Sequence, residues 1–289
     1  MTRRQFFMGV GPSVFVMAAL LLFPLVTTLV WSFQKVSYGT PGVWVGLGNY
    51  VRLFGDKLFR AAVGFSVGFA LVDTALLMVL GYGLALLMNR VRRGRSIFLG
   101  LLLVPYVVPA IISATAFGWL FDDNFGGLVN FFLSHVGIHN IHWFTGTWPN
   151  RGMVLMEALW GGLPFYMLVF LGALQGVSAE QMEAAEIDGA NWFQRQWHIV
   201  IPSIGPMFRF LALISVSSTL GIFDALVVLS PNAQVVGNQS VNQYIYRIAF
   251  NSDQQQLGVG SAVSVLMLIV MFTLVSPIVR RIYQEVKAP

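Results

Sequence analysis

Six stretches of this chain are apolar, nearly free of charge and about as long as a helix must be to cross roughly 30 Å of hydrocarbon: residues 10–33, 61–88, 97–120, 152–175, 207–229 and 258–279. No other feature constrains the fold as much. Inside a bilayer no water pairs with backbone N–H and C=O groups, so a spanning segment has to satisfy them itself, and an uninterrupted apolar run does so as a helix. Composition agrees: 56% of the 289 residues are hydrophobic and 10% charged, far below the roughly one-quarter charged residues of an ordinary soluble domain. With a mean hydropathy of +0.73, a soluble globule, a disordered chain and a coiled coil are all excluded. The absence of cysteine removes disulfides, thiolate metal sites, iron–sulfur clusters and cysteine nucleophiles. The expectation is an all-α, polytopic membrane protein of six transmembrane helices, with residues 1–289 forming one transmembrane domain.

An even number of spans puts both termini on one side. Arg3 and Arg4, the Arg90, Arg92, Arg93 and Arg95 connection and the Arg280-Arg281 tail share that side, which the positive-inside rule makes cytoplasmic. Lys35, Arg52, Lys57 and Arg60 fall opposite, so the asymmetry is clear without being absolute. The net charge of +5 therefore reads as topology and lipid contact rather than as nucleic-acid binding. The first span is too long, and lacks the small-residue cleavage site, to read as a signal peptide. Gly64 with Gly68, and Gly172 with Gly176, have the spacing that lets helix backbones approach closely, and are expected to serve packing.

The connection between the fourth and fifth spans is polar and longer than an antiparallel turn requires. Ser178 with Gln181 three residues on is a capping-box pattern, Glu180 and Glu183 suit a helix N-terminus, and Gly189 suits a left-handed helix stop. Asn191 then caps a second short helix bearing Trp192, Phe193 and Trp197, expected to end before Pro202. Two short helices on a glycine hinge make a projecting knuckle with an acidic edge and large apolar side chains, suited to a groove on a protein partner. The alternative, a helix lying on lipid, is disfavoured because Glu180, Glu183, Glu186 and Asp188 would meet anionic headgroups.

Glu183-Ala184-Ala185, Gly189, Ile199 and Pro202 resemble the EAA signature of permease subunits of binding-protein-dependent ATP-binding-cassette importers, with Ile201 where leucine usually precedes the proline. The resemblance extends through Gly46-Leu47-Gly48-Asn49-Tyr50, Pro105 and Pro109, Trp160, Pro164-Phe165, Phe223-Asp224, Tyr244-Ile245-Tyr246 and Ala249-Phe250. Together these look like the carbohydrate-uptake subgroup, and within it the first of two paired permeases of maltose and glycerol-phosphate type. Where that subgroup often has a glycine-rich stretch after the Phe-Asp pair, this chain has Ser230 to Asn238.

The resemblance implies a type I importer permease in the cytoplasmic membrane of a prokaryote, acting with a second, distinct permease, two ATPase subunits and an extracytoplasmic solute-binding protein. The cargo would be a di- or oligosaccharide, a polyol or a glycerol phosphate. Residues 178–206 would couple it to the ATPases: Glu183 pairing with a basic residue, Ala184 and Ala185 permitting close approach, Gly189 setting the bend, and Ile199 and Pro202 leading into the fifth span. ATP and Mg would be used by the partners, no cofactor being expected on this chain. Independently, none of its three lysines follows the glycines of a phosphate-binding loop, so the chain is not itself expected to be the ATPase, and the resemblance makes it a non-enzymatic subunit.

For the solute pathway, the resemblance points to Trp160, Gly162 and Phe165 on the fourth span, with Ser215, Thr219 and Asp224 on the fifth as further candidates: aromatic faces for sugar C–H groups, hydroxyl and carboxylate groups for sugar hydroxyls. Asp73 and Glu157 are intramembrane carboxyl groups, and Asp73 reads best as a helix-to-helix hydrogen-bond anchor. An ion-coupled secondary transporter is the rival reading, supported only by Asp73 and Asp224. A polytopic enzyme would need a polar catalytic cluster that the sequence does not display. His135, His139 and His142 are spaced like a helical metal site, but Gly137 and Asn140 interrupt the helix, and no metal is expected. Gly258-Val259-Gly260 opens a span with no strand before it and reads as a helix entrance, not a dinucleotide loop.

Overall fold

The computed structural model describes residues 3–123, 127–139, 141–252 and 255–287. In chain order the elements are α1 (Arg3–Ser32), β1 (Gln34–Lys35), β2 (Val43–Trp44), α2 (Gly48–Gly55), α3 (Lys57–Arg90), α4 (Arg95–Val107), α5 (Ala110–Leu120), α6 (Leu128–His135), α7 (Thr147–Gln175), α8 (Ala179–Ile187) and α9 (Trp192–Arg195). A π-helical turn (Gln196–Val200) follows, then α10 (Ile201–Ser203), α11 (Gly205–Leu220), α12 (Asp224–Leu229), α13 (Ala233–Val236), α14 (Val241–Phe250) and α15 (Leu257–Lys287). Among the described residues four helices are each long and apolar enough to cross a membrane, and counting each of two bent helix pairs as one span gives six.

The third and fifth spans expected from sequence are both bent. α4 and α5 meet at 96°. The cause is Pro109, which has no N–H to donate and forces Val108 out of the helical region, to ψ 126°. α11 ends at Leu220, and residues 221–223 break the helix before α12, so the stretch 207–229 expected as the fifth span contains parts of two helices. At 16 residues α11 is only about 24 Å long by the helical rise, and it needs its bent partner, residues Trp192–Ser203, to make a span.

Residues 1–60 and 242–289 form one compact unit, and residues 61–241 a second. In the first, α1 lies along α15, and β1 pairs antiparallel with β2, Gln34 opposite Trp44. The side chain of Asn49 donates to the carbonyls of Ser32 and Gln34, both at 2.9 Å, while the Tyr50 hydroxyl donates to Ser32 Oγ at 2.8 Å. Asn49 thus satisfies a carbonyl that the end of α1 leaves unpaired, a physical role for the Gly-Asn-Tyr run. A Cβ on Gly258 would collide with the Gln34 carbonyl, so this glycine is needed for close packing of the α15 entrance. Asp56 caps α3 through Leu58 N–H (2.7 Å) and accepts from the Tyr244 hydroxyl (2.7 Å). Burial pushes the Asp56 carboxyl upward, but the bonds from Tyr244 and from the Leu58 and Phe59 amides, with the Arg247 charge, outweigh it and hold the group below its ordinary value. Burial, then the bond to Asp56, raises the Tyr244 phenol.

In the second unit, two apolar clusters flank a polar layer. One gathers Leu77, Ala85, Tyr166, Phe170, Val200 and Leu211, the other Phe65, Phe69, Trp143, Val154, Leu226 and Leu229. The cluster that includes Trp143 and Leu229 contains a buried hub at Asn150, whose Nδ2 donates to the Leu229 carbonyl (2.8 Å) and the Trp143 carbonyl (3.1 Å). Its Oδ1 accepts from Ser230 Oγ (2.7 Å) and Asn238 Nδ2 (2.9 Å). Close helix approach occurs at Gly81, where a Cβ would lie 2.8 Å from Tyr166 Cβ, and at Gly162, 3.1 Å from Leu77. Among the described residues of this chain nothing lies within 4 Å of a Cβ added at Gly64, Gly68 or Gly172.

Candidate functional site

The knuckle forms as two capped helices. Ser178 Oγ accepts from Gln181 N–H at 3.3 Å, without the reciprocal half of the capping box. Gly189 takes φ +81°, and Ala190 N–H returns to the Ala185 carbonyl at 2.9 Å, the long back-bond of a glycine-terminated helix. Asn191 and Gln194 make a complete capping box, at 2.9 and 2.8 Å. Arg195 Nη1 lies 2.6 Å from Glu186 Oε2, bracing one arm of the knuckle against the other.

The second arm does not end before Pro202. α9, the π turn and α10 run on in helical backbone to Ser203, because Pro202 sits in the first turn of α10, where a missing N–H is tolerated. Glu183, Ala184, Gly189 and Pro202 are exposed and Ala185 and Ile199 half-buried, beside exposed Ile187, Phe193 and Trp197. The knuckle is fastened to α3 twice: Tyr82 donates its hydroxyl to Gln196 Oε1 at 2.6 Å, and the Arg90 guanidinium lies 5.6 Å from the centre of the Trp192 ring. Neither contact is signalled by the sequence, since Tyr82 sits in an apolar run and its partner is 114 residues away.

The polar layer holds the intramembrane carboxyl groups. Asp73, 2% exposed, accepts from Thr219 Oγ1 at 2.7 Å, the helix-to-helix anchor expected of it, and its Oδ1 has no partner among the described residues. One residue on, Thr74 shares a 2.8 Å hydrogen bond with Ser215. Glu157, 5% exposed, accepts from Ser113 Oγ at 2.5 Å. Ser215 and Thr219 thus tie α11 to α3, and Gly162 packs on Leu77; these three hold helices together. Phe165 stacks on Tyr106 with ring centres 5.8 Å apart, and Trp160 leans on Phe117 at 5.7 Å.

A cavity of about 420 Å³ opens where the α4–α5 bend, α7 and the α11–α12 break converge. Tyr106, Ser113, Glu157, Ser218, Phe223 and Asp224 supply its functional groups, and none of its described lining residues is Lys, Arg or His. Of the residues singled out from sequence, Pro105, Glu157, Phe223 and Asp224 reach it. Ser113, Ser218 and Tyr106 were missed, because the proline bend and the helix break that turn them inward are invisible to a straight-helix reading.

Among the described residues no three His, Asp or Glu side chains gather as metal ligands. His142 instead lies 3.1 Å from Asp123, and His135 bonds the Phe131 carbonyl at 2.9 Å; Asn140 is outside the described residues.

Residues 78–287, which include the knuckle and all the described cavity lining, match the model of the binding-protein-dependent transport system inner membrane component family. The chain belongs to this family. The permease is 29% identical over 268 residues to a trehalose/maltose transport system permease protein of Thermococcus litoralis, covering 91% of this chain and 89% of that one. It is 28% identical over 268 residues to a trehalose transport system permease protein of Mycobacterium tuberculosis, covering 91% and 84%. It is also 27% identical over 265 residues to an arabinooligosaccharides transport system permease protein of Halalkalibacterium halodurans, covering 92% and 83%. Its fold is similar to a chain of a bacterial ABC transporter involved in the import of the acidic polysaccharide alginate, with TM-score 0.80, 20% identity and coverage of 96% and 95%. The permease is thus an all-α, multi-pass protein of the cytoplasmic membrane with the type I importer permease fold.

Proposed function

We propose that this chain is the transmembrane permease subunit of an ATP-driven carbohydrate importer, moving its cargo by alternating access. The observation that carries the reading is the exposed, doubly capped knuckle at residues 178–206, whose second arm runs on in helical backbone to Ser203 and joins α11 through a one-residue break at Ile204, bent by 69°. Two partner ATPase subunits use ATP and Mg; one of them receives Glu183, Ala184 and Ala185 in a groove, with Gly189 fixing the bend between the arms. Motion of the knuckle passes through Ile199 and Pro202 to α11, and by the Thr74–Ser215 and Asp73–Thr219 bonds to α3. The cavity between α4–α5, α7 and α11–α12 is a stretch of the solute pathway, with Trp160 and Phe165 at its margin. A sugar cargo is supported by the relatives, whose names are those of trehalose, maltose and arabinooligosaccharide systems.

The permease pairs with a distinct second permease and receives solute from an extracytoplasmic binding protein; both termini face the cytoplasm, where the knuckle meets the ATPases. Purification of the tagged chain in mild detergent, with mass spectrometry of co-purifying proteins, tests the assembly. An ATPase and a second six-span protein are expected, and a chain that purifies alone refutes the reading. Glu183→Ala and Gly189→Pro are expected to abolish vanadate-sensitive uptake, the latter because proline cannot adopt φ +81°.

A further inference from the structure

The cavity has a definite chemical character. Its aromatic groups are Tyr106 and Phe223, its hydroxyls Ser113 and Ser218, and its ionisable groups Glu157 and Asp224, both acidic. Glu157 is 5% exposed, and Ser113 Oγ donates to its Oε1. Asp224 is exposed, at the start of α12 just past the helix break. No cation among the described lining residues offsets them, and low-dielectric walls strengthen the field of a fixed charge.

We infer that this cavity selects against anions, so that the carbohydrate passing it is neutral or amine-bearing and not a uronate or sugar phosphate. The inference rests on the cavity being part of the solute pathway. Hydroxyl-rich solutes lose nothing here, because carboxylates and serine hydroxyls accept sugar O–H bonds, and an ammonium group gains a charge-assisted one. A carboxylate or phosphate finds acceptors where it needs donors. The transporter of similar fold that imports alginate handles an acidic polymer, so the selection is a property of these side chains and not of the fold.

The lack of cysteine in this chain makes a direct test available. Ser218→Cys, or Ala158→Cys as a second position lining the cavity, places a single thiol of this chain in it. The assembled complex in membranes is treated with a cationic trimethylammonium-ethyl or an anionic sulfonatoethyl methanethiosulfonate. Each reaction forms a mixed disulfide from the thiolate and releases methanesulfinate, and labelling is counted on this chain by mass. After normalisation to the reagents' rates with free mercaptoethanol, the cationic reagent is expected to react faster by roughly tenfold, the lower end of electrostatic focusing in clefts. Glu157→Gln with Asp224→Asn should bring the ratio close to one, and Asp224→Asn alone, at an exposed position, should lower it part-way. Equal rates in the parent thiol variant overturn the charge selection while leaving the pathway reading intact. Labelling by neither reagent at either position shows a cavity closed to water and overturns both.

Discussion

Replacing Tyr82 by phenylalanine removes one oxygen atom from the junction between α3 and the knuckle. The ring stays, with its contacts to Phe170 and Phe208 at centroid distances of 5.6 and 5.4 Å, so packing is preserved. What is lost is the 2.6 Å bond to Gln196 Oε1, which leaves a half-buried amide oxygen unpaired. A neutral hydrogen bond in such a setting is worth about 1 kcal/mol net, and the stranded acceptor brings the change to about 1–2 kcal/mol. If α3 must follow the knuckle during each cycle, that free energy displaces the balance between following and slipping by about 5–30-fold. The assay is solute taken up per ATP hydrolysed by the reconstituted complex. We expect that ratio to fall several-fold while the amount of assembled complex and the ATPase rate remain near their parental levels. Gln196→Met should have the same effect, and the double variant should add little, since the second substitution removes a bond already absent. An unchanged ratio in Tyr82→Phe, or additive losses in the double variant, would refute the reasoning.

Three further outcomes are expected. Asn150→Ala breaks all four bonds of the buried hub and should cost about 3–5 kcal/mol, lowering the apparent Tm of the detergent-solubilised chain by roughly 10 °C. Gly81→Val drives a branched side chain into Tyr166 Cβ and the Met167 backbone, and should reduce the yield of monodisperse protein far more than Gly64→Val, where the added Cβ has free space. Because folding lowers the Asp56 pKa, its contribution is present above the ordinary value of 3.8 and disappears as pH falls through the lower folded value. Hydrogen exchange in α14 should therefore accelerate under acid in the parent, and already at neutral pH in Asp56→Asn.

The positions of the apolar spans were legible from sequence because each is a long run with one physical requirement, and the knuckle was legible because caps and glycine stops are local. Ser178, Gly189 and Asn191 all do what their side chains or backbones favour within three or four residues. What sequence did not show was direction. A proline at 109 announces a disturbance, but neither the 96° angle of the turn nor the arrival of Tyr106 and Ser113 at one cavity can be read from it. Likewise a serine at 215 and one at 218 look alike in the chain, yet one bonds Thr74 across a helix interface and the other bonds the Ser215 carbonyl of its own helix at the cavity wall. Pairings such as Tyr82 with Gln196 are long-range and leave no local trace.

The π turn at Gln196–Val200 fixes a phase relation. A π turn accommodates one residue more than the surrounding α-helix, and each residue added to or removed from a helix rotates everything beyond it by about 100° and shifts it by about 1.5 Å. The connection between knuckle and α11 therefore sets an angular register between the surface bearing Glu183 and the helix face bearing Ser215 and Thr219. Single-residue insertions or deletions between Trp192 and Ile204 should be far more damaging than most substitutions there. Homologous permeases that exchange ATPases are expected to share this segment's length even where its sequence has drifted.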